Sequence, residues 1–125
     1  MMDNIGVASG KPTFIDEVSQ CNDKSALHGQ SVCVTGRLTL HEFSACLAKL
    51  TDPQSKSEIC IDTSLIEPFQ ARFGSQFQMI GELEPGSQHD IVLKARVVRC
   101  VDGLDMSLYR KAIECQRMYL QKRNS

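Results

Sequence analysis

The sequence predicts an all-β domain with helices: one small barrel of five strands, a short helix between the third and fourth, and a long C-terminal helix. Three observations predict it. Apolar and polar residues alternate with period two in successive short runs between residues 31 and 101. Turn-forming clusters separate those runs. Residues 106–123 then contain neither glycine nor proline. At 125 residues the chain supports one modest core and not two, so a single domain over 1–125 is expected. Its parts are an N-terminal segment (1–30), a barrel (31–101) and a helix (105–123).

Residues 1–30 carry scattered turn formers. Phe14-Ile15-Asp16-Glu17-Val18 reads as one short helix or strand that caps the domain, and the rest up to Gln30 reads as a linker. From Ser31 the pattern changes. Val32, Val34, Leu38 and Leu40 fall on one side, and Cys33, Thr35, Arg37 and Thr39 on the other, as in a strand with one buried face. Gly36 interrupts the inward row, which suits a bulge or sharp coil. A less regular second strand covers 44–50, with Ala45, Leu47, Ala48 and Leu50. A polar loop over 51–57 leads to a third strand around Ile59 and Ile61.

Pro68 forbids a continuous helix through Glu67, so a short helix beginning at Pro68 and ending at Gly74 is expected. Phe77, Met79, Gly81 and Leu83 mark the fourth strand, with Phe77 inward. Glu84-Pro85-Gly86-Ser87-Gln88-His89-Asp90 is a strong turn. Leu93, Ala95 and Val97 alternate with Lys94, Arg96 and Val98 in the fifth strand, and Asp105 is a good N-cap for the last helix. This element order is that of the OB-fold, a five-stranded Greek-key barrel.

On the last helix, Leu108, Ala112, Cys115 and Tyr119 form one apolar stripe. Met106, Tyr109, Ile113 and Leu120 form a second about 130° away, and Arg110, Glu114, Arg117 and Gln121 hold the opposite side. Two stripes on one helix predict two dockings, one on the barrel and one on another protein. Tyr119 is the natural anchor because tyrosine brings area, stiffness and a polar tip. Arg123 lies one turn further on the same side, placed to pair with an acidic group.

Charge and motifs narrow the function. The net charge is -1, but residues 1–90 carry 6 basic and 12 acidic side chains and residues 91–125 carry 8 and 3. Strong autonomous binding to polyanions is therefore not expected, and any nucleic-acid contact should involve the last third. The candidates are Arg37, Lys94, Arg96 and Arg99, with Phe43 as an exposed aromatic. Cys21, Cys33, Cys46, Cys60, Cys100 and Cys115 include no Cys-x-x-Cys pair, and His28, His41 and His89 have no ligand spacing, so neither a metal nor a disulfide framework is expected. His41-Glu42 lacks the second histidine of a zinc protease, and Gly10-Lys11 lacks the upstream glycine of a phosphate loop. No catalytic residues, cofactor, membrane span or secretory leader are expected.

The residues themselves carry a resemblance. Thr35-Gly36-Arg37-Leu38, Leu65-Ile66-Glu67-Pro68-Phe69 with Gly74-Ser75, Gly81-Glu82-Leu83, Val92-Leu93-Lys94-Ala95-Arg96-Val97 with Cys100-Val101-Asp102-Gly103, and Gln116-Arg117-Met118-Tyr119 occur in that order. Together they resemble the Ten-subunit family of the Ctc–Stn–Ten (CST) complex, particularly its vertebrate form, over residues 31–123. The resemblance implies a small OB-fold subunit that pairs with the Stn subunit through the C-terminal helices of both. It implies partner contacts at Tyr119 and Arg123 and a nuclear location at telomeres. It further implies a trimer with the Ctc subunit that binds single-stranded DNA and recruits DNA polymerase alpha–primase, with the principal DNA contacts on the largest subunit. Two other readings stay open on the residues alone: the small subunit of a replication-protein-A-like trimer, and a stand-alone OB module for single-stranded nucleic acid.

Overall fold

The computed structural model describes residues 10–86 and 91–123, with side chains up to Gln121. Its elements are β1 (Lys11–Pro12), α1 (Ile15–Ser19), β2 (Ser31–Glu42), β3 (Leu47–Thr51), β4 (Glu58–Asp62), β5 (Gln76–Glu84), β6 (Val92–Cys100) and α2 (Met106–Arg123). The strands run in the order β2-β3-β4-β6-β5, and β5 pairs back onto β2 to close the barrel. The β4–β6 pair is parallel, and the pairs β2–β3, β3–β4, β2–β5 and β5–β6 are antiparallel. The expected OB-fold is the observed one.

β2 closes the barrel because it is long. Its 12 residues span roughly 40 Å when extended, enough to serve two partners in turn: residues 31–37 pair with β5, and residues 37–42 pair with β3. β1 pairs with β2 in parallel at Val32 and Cys33, along the edge that β3 leaves open. Gly36 sits at the handover. A Cβ there would lie 2.8 Å from Ile15 Cδ1 and 3.0 Å from the Thr51 carbonyl oxygen, so the residue admits close approach. The register shift itself falls later, between Leu38 and Leu40, where β2 follows β3 alone.

The inward rows hold except at Leu40, which is half-buried, and Val97. Val32, Val34, Leu38, Met79, Leu83, Leu93 and Ala95 are at most 1% exposed, and Phe77 is buried as expected. The core also takes Ile15 and Val18 from α1, so Phe14–Val18 supplies a helix that plugs the barrel. The rest of the expected linker contains a 3₁₀ turn at Lys24–Leu27, whose Leu27 packs on the core.

Four local expectations are corrected. Cys33 and Thr35, expected on a solvated face, are buried; Thr35 lies in a small gap lined by Phe14, Ile15, Met106, Tyr109 and Arg110. The second strand starts at Leu47 because Phe43–Ala45 is a 3₁₀ turn closed by Cys46 at φ 51°. No helix forms from Pro68 to Gly74. Two side chains anchor that segment in turns and extended backbone: the Glu67 carboxylate, held by Thr63 and His41, and the Phe69 ring, packed edge-on against Phe77 at 5.8 Å. In β6, a bulge opposite Ile80/Gly81 reverses the alternation, so Val97 is exposed while Val98 packs on the core.

Candidate partner-binding surface

The start of α2 is tied to the barrel through Asp102 and Val101, and Asp105 caps the helix. The Asp102 carboxylate accepts a hydrogen bond from the Gln76 backbone N–H at 2.8 Å, and the Val101 N–H donates to the Gln76 carbonyl at 2.8 Å. That Gln76 N–H, with help from Ser75, holds the Asp102 carboxyl below the usual range. Asp105 is the expected N-cap: the Leu108 N–H donates to its carboxylate at 3.1 Å, and the Tyr109 N–H to its carbonyl at 2.8 Å.

From this fixed start the helix lies against the N-terminal segment. Met106, Tyr109, Arg110, Ile113 and Arg117 are half-buried, a spacing of one helical face, and no described side chain of α2 is fully buried. Arg110 and Arg117 were expected on the solvent side. Both instead turn inward, because the acidic partners lie there. The Arg110 guanidinium donates to Asp16 and, at 3.3 Å, to Asp52. Arg117 bridges Glu17 at 2.8 and 3.1 Å and donates to the Pro12 carbonyl at 2.8 Å. Both guanidinium groups stack on Phe14, 3.9 and 4.7 Å from its ring centre. Partial burial pushes the Glu17 carboxyl up, but hydrogen bonds from Arg117 and the Phe14 N–H and the charges of both arginines outweigh it, so its pKa is lowered.

These N-terminal partners were not legible as such. Phe14-x-x-Glu17 has the spacing of a helix start, but nothing local in the sequence ties Asp16, Glu17 or Asp52 to a helix about 60 to 100 residues away.

The outer side of α2 presents the first predicted stripe. Leu108 is 63% exposed and Tyr119 61%, with Ala112 and Cys115 exposed between them. Met118 and Leu120 are also exposed, so the second stripe is not covered at its last member. Arg123 ends the helix backbone, and its side chain lies outside the described residues.

Four of the five nucleic-acid candidates lie on β2 and β6, the two strands that flank β5. Arg37 donates to the Gly74 carbonyl at 2.6 Å, Arg96 donates to Ser31 Oγ at 2.9 Å, and Arg99 donates to Gln78. Lys94 is half-buried opposite Glu82. Phe43 is 62% exposed but sits past the end of β2 farthest from Ser31. Among the described residues, no group of three or more His, Cys, Asp or Glu side chains could hold a metal ion, and no helix is long and apolar enough to cross a membrane.

Comparison with known proteins shows the family and the fold. Residues 6–123 match the family model described as "Telomere-capping, CST complex subunit". The chain is 35% identical to the mouse CST complex subunit TEN1 over 106 residues, covering 83% of this chain and 66% of that one. It is 34% identical to the human CST complex subunit TEN1 over 97 residues, covering 76% and 79%. The chain thus spans about two thirds of the mouse relative's length. In three dimensions it resembles a chain of the crystal structure of the Schizosaccharomyces pombe Stn1–ten1 complex, with a TM-score of 0.70 at 17% identity over 91% of this chain and 97% of that one. The barrel fits these relatives, and the chain belongs to the Ten1 family of telomere-capping CST complex subunits.

Proposed function

We propose that this chain binds and stabilises an OB-fold Stn subunit through the outer face of α2, with Leu108, Ala112, Cys115, Tyr119 and Arg123 as the contact residues. The observation that carries the reading is the exposure of Leu108 and Tyr119 on a helix whose other face already serves its own domain. Large exposed side chains in line along one helix face mark an interaction site. The solved complex of a fold relative, by its title, pairs Stn1 with ten1.

In this reading the pair joins a Ctc subunit at chromosome ends in the nucleus. The trimer binds telomeric single-stranded DNA and supports polymerase alpha–primase fill-in synthesis. The small subunit contributes structure first and DNA contact second. Support comes from the net charge of -1 and from the intramolecular hydrogen bonds that already engage Arg37, Arg96 and Arg99. Lys94 and Phe43 then add peripheral contact to a strand held mainly elsewhere.

Co-purification with the Stn subunit tests the pairing. Tyr119→Ala should weaken it by roughly tenfold or more, the scale of an aromatic anchor at an interface, while the circular dichroism of the isolated chain stays unchanged. Undiminished affinity for both Tyr119→Ala and Leu108→Glu would place the interface elsewhere.

A further inference from the structure

We propose that α2 is an electrostatically clasped arm, in which Arg110 and Arg117 are positioning residues that set how the helix lies on the domain, and which salt releases from its C-terminal end first. This is a property of the chain alone and does not rest on the pairing proposed above.

A helix docked by apolar burial owes its position to side chains sealed against the core. α2 has none: its barrel-facing Met106, Tyr109 and Ile113 are only half-buried. Beyond its start and these partial apolar contacts, charge joins it to the domain. Arg110 meets Asp16 and Asp52, Arg117 meets Glu17 and the Pro12 carbonyl, and both stack on the single ring of Phe14. All the acceptors except Asp52 lie in residues 12–17, so the arm is fastened to the segment that also plugs the barrel.

The clasp is graded along the helix. The Arg117–Glu17 pair is open to water, its side chains 36% and 42% exposed. Arg110 is 25% exposed, and its partners Asp16 and Asp52 are 19% and 6% exposed. Salt screens exposed pairs strongly and part-buried pairs much less, with a Debye length near 10 Å at 0.1 M and about 3 Å at 1 M. The N-terminal end is held differently: just ahead of the helix the Asp102 carboxylate accepts from the Gln76 N–H, and the Val101 N–H donates to the Gln76 carbonyl. The geometry therefore gives one end that stays and one that lifts. The released C-terminal turns fray once undocked, since most helical stability in proteins comes from tertiary packing.

Amide hydrogen exchange of the 125-residue chain, read by mass spectrometry at 0.05 and 1 M sodium chloride, tests this. Exchange in the last two turns should speed up by roughly 1.4- to 5-fold at high salt, with a smaller change around Arg110 and none in β2 and β5. The unchanged strands show that the fold is intact. Arg110→Gln with Arg117→Gln should exchange fast at both salt levels, whereas Arg110→Lys with Arg117→Lys should keep a salt-dependent protection. Salt-independent exchange of α2 in the parent chain would overturn the proposal. So would Gln and Lys variants that behave alike, because the arginines would then act as packing and not as charge.

Discussion

Gly81→Ala is the substitution against which the barrel has the least defence. Gly81 pairs with Ala95 across the β5–β6 ladder, beside the register shift. A Cβ on residue 81 would lie 2.0 Å from the Lys94 carbonyl oxygen, 2.7 Å from its carbon and 2.8 Å from Ala95 Cα. Carbon and oxygen tolerate about 3.3 Å, so β6 must retreat by more than about 1 Å. That displacement stretches neighbouring ladder bonds beyond hydrogen-bonding range. Overpacking typically costs about 1–3 kcal/mol and each weakened bond about 1 kcal/mol, so a loss of about 2–5 kcal/mol is expected. Against a domain stability of about 5–15 kcal/mol, this is a large fraction. Urea unfolding followed by far-UV circular dichroism should show the midpoint falling by about 1–2.5 M, taking a slope of about 2 kcal/mol/M. Gly36→Ala should cost less, because its closest contact is the movable end of Ile15. A Gly81→Ala midpoint indistinguishable from the parent, or a Gly36→Ala loss larger than that of Gly81→Ala, would refute the crowding argument.

Other outcomes follow from the same contacts. Met79 is 0% exposed in the barrel centre, so Met79→Ala should lower stability by about 2–5 kcal/mol in the same assay; a loss under about 1 kcal/mol would mean that the barrel collapses around the space. Acid stability should depend on Glu67. Burial pushes its carboxyl up, but hydrogen bonds from Thr63 and His41 and the His41 charge outweigh it, so its pKa lies below the ordinary 4.5. A lowered carboxyl binds protons more readily in the unfolded chain. Its contribution is therefore present above about pH 4.5 and lost as pH falls through the lower folded value. Urea midpoints taken from pH 6 downward, to about pH 3, should fall less steeply in Glu67→Gln than in the parent; parallel curves would contradict the assignment.

The sequence, read alone, carried the features that are periodic or local. Val32, Val34 and Leu38 announced the first long strand because side chains two apart share one face of a strand, although the face of Cys33 and Thr35 is covered as well. The glycine- and proline-free run after Asp105 announced the last helix and its cap. The stripe from Leu108 to Tyr119 was legible because helical spacing gathers those residues on one face wherever the helix docks. Tertiary structure decided the rest, wherever the deciding partner lies far along the chain. Val97 turned outward because of a bulge against β5, which alternation within β6 does not encode. The segment after Pro68 stayed extended because His41, on another strand, and Thr63 hold Glu67. Arg110 and Arg117 face inward because the acidic groups of residues 16, 17 and 52 wait there. A helical wheel ranks an arginine by its own polarity, whereas the folded chain ranks it by the charge it meets, and only the closed barrel brings that charge into reach.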